Sequence, residues 1–343
     1  MNVFNKKLRQ YMNTLISLRS IPYESIFITY RSIYYLDKSS KEENDTYNKS
    51  REYIIGAIIN NVIDEHYYIY SRRWKKLRQQ IQSYINILCD KHHIINYKKI
   101  ECIHKAGRGN HYDFKLCIDD REFHIEFKYN SSIVNDAPQF VSPMKPSQYL
   151  NMEFEPWFYD NYLIQIANYG NLIMPDRDKY LKTIHSNKVE CMNKFKDKYD
   201  TNSLFKKYCQ DIDKQSIRDF IQMTHIDMNN LSDYLLEGQK NKVYMCYKEN
   251  KFHYDTIDES MYKIKCLDKK ENTNYIYITY NGSKLEIKLR FKNGCGLQFP
   301  AFQIKRKIPT IEELKQLCEA HRIPAPRLKK DICLVLDKHK VVY

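Results

Sequence analysis

Glycine is scarce in this 343-residue chain, at 8 residues, while tyrosine reaches 30. With its many Asn, Lys and Ile residues, that bias follows AT-rich coding sequence, as in a large DNA virus or an AT-biased microbe, and carries no mechanism. No run of about 18 apolar residues exists, so a spanning helix is not expected. The N-terminal MNVFNKKLRQYMN also lacks the apolar stretch of a signal peptide, so the expected location is intracellular, in cytoplasm or nucleus. The 10 cysteines occur singly, with no Cys-x-x-Cys pair, which reads as reduced, mostly buried thiols. Cys89 and His92 with Cys102 and His104 come nearest to a zinc pattern. The second pair lies two apart on a strand, so ordinary buried thiols and histidines are the better reading. Internal repeats, low-complexity tracts and long flexible linkers are absent too.

What is present is positive charge. Lys and Arg number 56 against 42 Asp and Glu, a formal net charge of +14 spread along the chain, and a polyanionic partner follows. Charge alone does not separate nucleic acid from an anionic membrane surface. An apolar content of 43% is enough to bury a core.

The first 90 residues are helical in pattern. After the start signal Asn48-Lys49-Ser50, Tyr53, Ile54, Ala57, Ile58 and Asn61 fall at helical spacing; Trp74, Leu77, Ile81, Tyr84 and Leu88 do so in a second helix. That helix begins SRRWKKLRQQ, which places Arg72, Arg73, Lys75, Lys76 and Arg78 where the macrodipole disfavours cations. Phosphates nearby would tolerate such an arrangement; a solvated basic face is the plainer account. From about residue 99 the period becomes two, over KIECIHKAG, HYDFKLCI and EFHIEFKYN, with Asp119-Asp120-Arg121 as the last turn. Further helical stretches follow beyond 150, and strand pattern returns from 243 to 304. There Asn281-Gly282 marks a hairpin.

In EFHIEFK the alternation puts Phe123, Ile125 and Phe127 on one face and His124, Glu126 and Lys128 on the other. Asp113 opens the preceding strand at the level of Glu126 and Lys128. Two carboxylates and an amine therefore converge. Hard oxygen ligands so placed suit Mg2+ (or Mn2+), which would relieve their repulsion, and the lysine could orient or deprotonate a water for attack on phosphorus. Glu-x-Lys recurs at Glu249/Lys251, Glu286/Lys288 and Glu313/Lys315. Pairing around Asn281-Gly282 sets Glu286 opposite Tyr277 and Lys288 opposite Tyr275, with no acid on the partner strand.

Asp, then Glu-x-Lys a strand later, resembles the PD-(D/E)XK nuclease superfamily, which includes restriction endonucleases and Holliday junction resolvases. The resemblance covers about residues 48–170, with Tyr112 where the name-giving Pro stands. It implies helices, then three strands with the Asp on the middle one and Glu-x-Lys on the next. It further implies metal ligation by Asp113, Glu126 and the Phe127 carbonyl, water activation by Lys128, and 5′-phosphate products. Many members carry a further Glu on the preceding helix, a place Glu52 fits. RecB-like members have Gln-x-x-x-Tyr, which Gln165 and Tyr169 match, although in so Tyr-rich a chain a packed helix face is the better account of them.

The last segment has Ile311, Leu314, Leu317 and Cys318 at helical spacing, a Pro-interrupted turn, then Ile332, Val335 and Leu336; Thr310 and Glu313 form a capping box. It resembles a SAP motif, a small DNA-binding module, without the glycines of its turn, near His321 or Arg322 and near Pro326 or Arg327. Arg327, Lys329 and Lys330 would then meet backbone phosphates.

The expected architecture is mixed α/β (α+β). A restriction endonuclease-like domain over 1–305 has its core at about 48–170 and a β-rich extension at about 241–305; a SAP-like module follows at 309–343, after Ile308-Pro309. The expected activity is Mg2+-dependent hydrolysis of duplex or branched DNA, by a homodimer where both strands are cut. Two alternatives are a non-catalytic DNA-binding protein on the same scaffold and an RNA-processing nuclease.

Overall fold

The computed structural model describes residues 2–37, 39–105, 110, 112–134, 139–141, 152–184, 189–223, 225, 227–259, 263–264, 266–269, 275–280, 283–291, 300–306 and 310–339. Chain contacts divide it into two units, Met1–Ala137 with Asn241–Ile257, and Pro138–Lys240 with Asp258–Tyr343.

The first unit opens with α1 (Asn2–Leu18), a hairpin of β1 (Ser20–Tyr23) and β2 (Ile26–Thr29), and a 3-10 helix over Tyr30–Leu36. The next helix, α2, runs Lys41–Ile59. It starts two turns before Asn48-Lys49-Ser50, because Ser40-x-x-Glu43 is a complete capping box: the Glu43 N–H donates to Ser40 Oγ at 3.3 Å and the Ser40 N–H to Glu43 Oε2 at 2.9 Å. After α3 (Glu65–Tyr70), α4 (Arg72–Lys91) buries Trp74, Leu77, Ile81, Tyr84 and Leu88, the stripe its spacing predicts.

Three strands follow, β3 (Ile100–His104), β4 (Phe114–Ile118) and β5 (Arg121–Tyr129), paired antiparallel in that order. Asp119 makes the turn into β5 in a left-handed conformation (φ 49°), and its Oδ1 accepts the N–H groups of Lys98 and Lys99. The chain then passes to the second unit with β6 (Gln139–Val141) and returns as β7 (Val243–Lys248), parallel to β5 with Val243 opposite Ile125. Antiparallel β8 (Lys251–Asp255) completes a five-stranded mixed sheet of order β3-β4-β5-β7-β8. One face of it buries Phe114, Leu116, Ile125, Phe127 and Met245 in a core shared with α2 and α4. Truncating a residue as enclosed as Phe114 or Ile125 to Ala would cost about 2–5 kcal/mol.

In the second unit the helices are α5 (Phe154–Phe158), α6 (Ile164–Gly170), α7 (Arg177–Thr183), α8 (Asn193–Thr201), α9 (Ser203–Met223) and α10 (Met228–Glu237). A π-helical turn over Tyr159–Leu163 joins α5 to α6. Its sheet combines β6 with β9 (Cys266–Lys269), β10 (Tyr275–Tyr280), β11 (Ser283–Phe291) and β12 (Pro300–Arg306), in the order β6-β12-β11-β10-β9. The strand pattern over 241–305, read as one extension, is thus shared between two sheets. The reason lies in β7, whose first five residues are all buried, as a strand covered on both faces must be. In the β10–β11 hairpin Tyr277 faces Glu286 and Tyr275 faces Lys288, the register expected; its turn, Asn281-Gly282, lies outside the described residues. So does Ile308-Pro309.

The last two helices, α11 (Ile311–Ala320) and α12 (Lys329–Lys338), enclose a small core of Leu314, Cys318, Ile323, Ile332 and Leu336. Thr310 and Glu313 form the capping box. Arg322 takes a left-handed conformation (φ 52°) at the turn where the resemblance would place a glycine. Among the described residues no helix is long and apolar enough to cross a membrane.

Candidate active site

Phe114, the first residue of β4, pairs with Ile125, so Asp113 lies just past the strand's end, and its N–H still donates to the Ile125 carbonyl at 2.9 Å. There its side chain takes over the ladder: Asp113 Oδ2 accepts the Phe127 N–H at 2.8 Å. In an extended strand the N–H and C=O of one residue leave by the same edge. The Phe127 carbonyl therefore emerges on the side of β5 that Asp113 occupies.

Glu126 and Lys128 alternate with the core residues of β5 and share its opposite face. Lys128 Nζ donates to Glu126 Oε1 at 2.6 Å. A second amine comes from the other side: Lys242, immediately before β7, sets its Nζ 3.6 Å from Glu126 Oε2. These side chains are largely but not wholly enclosed, with 18% of Glu126, 12% of Lys128 and 5% of Lys242 exposed. The cluster reaches solvent at its rim.

Burial and mutual repulsion set the charges. Asp113 is pushed up to about 7 by burial and by Glu126, against the pull of Lys128, the Phe127 N–H and Lys242. Glu52, in the fourth turn of α2, is pushed up to about 9 by burial and by Asp113 and Glu126, so it belongs to the same field. Burial would raise Glu126 too, but Lys128 and Lys242 hold it below its ordinary value. Burial lowers Lys128, yet Glu126 and Asp113 overcome it and keep the amine above its usual range. Lys242 is drawn down by burial and by Lys128, with Glu126 opposing.

Asp113 and Glu126 thus share the sheet's rim with two buried amines, and Glu52 feels the charge of both acids. Two of the acids are short of positive charge. That donor set fits Mg2+, which binds through one or two carboxylates and fills its remaining positions with water and phosphate oxygens. Asp113, Glu126 and the Phe127 carbonyl would hold it. Among the described residues no group of three or more His, Cys, Asp or Glu side chains is placed to hold a metal ion, so the protein would supply two carboxylates and a carbonyl.

Other residues singled out from sequence stand elsewhere. The His124 ring stacks on Tyr112 at 4.1 Å. Gln165 lies in the second unit, on α6, and donates to the Asn161 carbonyl at 2.8 Å; Tyr169 stacks on Tyr208. At the start of α4, Arg72, Arg73, Lys75 and Lys76 are all exposed, and Arg73 also pairs with Asp37 and lies over the Tyr34 ring. Arg327 and Lys330 are exposed and Lys329 half-buried. Of the zinc-like set, His92 meets Tyr254, and His104 sits among Tyr23, Tyr53 and Phe114 with neither ring nitrogen hydrogen-bonded.

The residue missed from sequence is Lys242. It is one of many lysines, and only the parallel pairing of β5 with β7 brings it to Glu126. Compared with known proteins, the chain matches no family model, no curated protein and no solved structure.

Proposed function

We propose that the protein is a Mg2+- or Mn2+-dependent DNA endonuclease of the PD-(D/E)XK type. The observation that supports this most is the convergence of Asp113, Glu126 and Lys128 at the rim of one sheet, with Glu52 in their field. The order of elements agrees with the reading: a helix, three antiparallel strands, the Asp at the head of the middle one and Glu-x-Lys on the third.

The cation would polarise the scissile phosphate and stabilise the developing charge. The chain's own residues do the rest. Asp113, tied to β5 through the Phe127 N–H, fixes the spacing of the two carboxylates. Lys128, an ammonium beside Glu126, donates hydrogen bonds to the attacking water and to a phosphoryl oxygen; with its affinity for protons raised, it orients the water and is a poor base. The water oxygen bonds to phosphorus, the bond to the 3′ oxygen breaks, and that oxygen gains the proton the water loses. A 5′-phosphate and a 3′-hydroxyl remain.

The exposed cations of α4 and of the C-terminal helices would contact the phosphate backbone, which adds affinity without sequence choice. Cutting both strands calls for two such sites, hence a homodimer.

The test is incubation of the full chain with supercoiled, linear, branched and single-stranded DNA, and with RNA, in Mg2+ or Mn2+. Cleavage of DNA that Glu126→Gln and Lys128→Ala abolish, with DNA affinity kept, supports the reading. DNA binding without cleavage of any substrate would favour a non-catalytic scaffold, and cleavage of RNA alone an RNA-processing enzyme.

A further inference from the structure

With only 5% of its side chain exposed, Lys242 holds an amine almost out of water, which is unfavourable unless other charges compensate it. Its one described partner, Glu126, already has a closer amine, with Lys128 at 2.6 Å on Oε1 and Lys242 at 3.6 Å on Oε2. One lysine is enough to neutralise one carboxylate. The second is repelled by the first and attracted by Asp113 as well as Glu126, so it serves the acid cluster as a whole and not one ion pair.

The sheet shows where the second amine points. Because Tyr244 is opposite Glu126 in the parallel pair, Lys242 lies on the Glu126 face, two residues earlier along β7. Lys128 lies on that face two residues later along β5. The two ammonium groups therefore approach Glu126 from opposite ends of the strand, where they can flank a group seated over it.

Charge counting gives that group a sign. Once a bound cation has displaced the protons of Asp113 and Glu52, the side chains themselves carry three negative charges against two positive ones, a net −1. One dication brings the cluster to +1, and one phosphodiester brings it to zero. Two dications would leave +3 before substrate arrived, in a space where such charges are strongly coupled.

We propose that Lys242 is a further catalytic residue, which contacts the scissile phosphate as a fixed positive charge in place of a second metal ion, so that each chain works with one cation. The proposal rests on the nuclease reading above and goes beyond it. In chemistry with two ions, one clamps the attacking and the other the leaving oxygen. Here Lys242 donates to the phosphoryl or leaving oxygen from the side opposite Lys128.

The test counts bound Mn2+ on the full chain by electron paramagnetic resonance, and measures cleavage by wild type, Lys242→Met and Lys242→Arg. One Mn2+ per chain, first-order dependence of cleavage on metal, and a kcat about 100-fold or more lower in Lys242→Met with unchanged circular dichroism support the proposal. Partial rescue by Arg and a second Mn2+ bound by Lys242→Met support it further. Two Mn2+ in the wild type, or unaltered kcat in Lys242→Met, overturn it while cleavage itself leaves the nuclease reading standing. Should Lys242→Met fail to fold, the wild-type count and Lys242→Arg decide. Wild-type protein that holds one Mn2+ and cuts no nucleic acid overturns the nuclease reading, and this role of Lys242 with it.

Discussion

The Asp113 carboxylate accepts the backbone N–H of Phe127 at 2.8 Å, across the gap left where β4 ends. One side chain thereby does two things: it satisfies a strand N–H that has lost its backbone partner, and it fixes an acid beside Glu126. Asp113→Asn keeps an oxygen for that hydrogen bond and loses the charge. We expect it to fold with near-native stability, to bind Mn2+ at least 10-fold more weakly, and to lose cleavage by about 100-fold or more. Asp113→Ala should in addition lower stability by about 1–3 kcal/mol, because the Phe127 N–H is left unpaired. Equal melting temperatures for the two variants would contradict this account.

The acids give stability a definite slope with pH. Asp113 moves from 3.8 to about 7 and Glu52 from 4.5 to about 9, so each holds its proton in the folded chain where the unfolded chain has lost it. Between about pH 4 and 9 the metal-free protein should therefore become less stable as pH rises. Glu126, held below its ordinary value, acts oppositely: its contribution is present above about pH 4.5 and lost as pH falls below. Thermal melts from pH 5.5 to 9 should show a falling melting temperature without metal. Mg2+ should raise it most at the alkaline end. A Glu52→Gln variant with the same slope as wild type would refute the assignment to Glu52.

Gly56 tests how tightly α2 lies on β3. A Cβ there would collide with His104 Nε2 and come within 3.0 Å of the Tyr23 hydroxyl. The His104 ring is closed in by Tyr53 at 4.5 Å and by Phe114, so it has little room to yield. Gly56→Ala gains about 1 kcal/mol of helix propensity and loses about 1–3 to overpacking. A net loss is expected, read as a lower urea midpoint with unchanged m-value.

Arg51, next to Glu52 on α2, is fully buried and held by neutral groups: the Tyr35 carbonyl at 2.6 Å, Asn44 Oδ1 at 2.6 Å, Asn48 Oδ1 at 2.8 Å and Ser39 Oγ at 2.9 Å. Its guanidinium also lies 3.5 Å from the ring centre of Tyr129, the residue after Lys128. Lysine cannot reproduce that fork. Both Arg51→Lys and Arg51→Met should lose about 2–4 kcal/mol by denaturant melts, with Met the worse. Full stability of Arg51→Lys would show that the fork is dispensable.

The C-terminal cations should act on affinity alone. Replacing Arg327, Lys329 and Lys330 together by Ala should reduce the slope of log affinity against log salt by about 2–3. The cleavage rate on saturating DNA should stay within about 2-fold. An unchanged salt slope would remove this helix from the DNA surface.

What the sequence revealed of this site follows the range of its contacts. Asp113, Glu126 and Lys128 were legible because a tight turn and period-two alternation determine a hairpin locally. Glu52 follows from its helix, although the apolar stripe marks α2 only from Tyr53 onward, well after the Ser40 and Glu43 cap that starts it. Trp74 to Leu88 stood out because a stripe at steps of three and four has few other meanings. Lys242 was not legible, because its place depends on β5 pairing parallel with a strand more than a hundred residues away. For the same reason the strands from 243 to 304 gave no sign of being shared between two sheets.

That distant pairing also orders events while the chain is made. Lys128 lies near the end of β5, and the next strand of its sheet begins at Val243, after the whole Pro138–Lys240 segment. A nascent chain therefore carries Asp113, Glu126 and Lys128 well before Lys242 leaves the ribosome, and at about 5–20 residues per second the interval is several seconds or more. Through that time β5 lacks its parallel neighbour and Glu126 has only one of its two amines. An unfinished or prematurely terminated chain thus carries Asp113, Glu126 and Lys128 without the last charge of the cluster, which is complete only once the long excursion has closed.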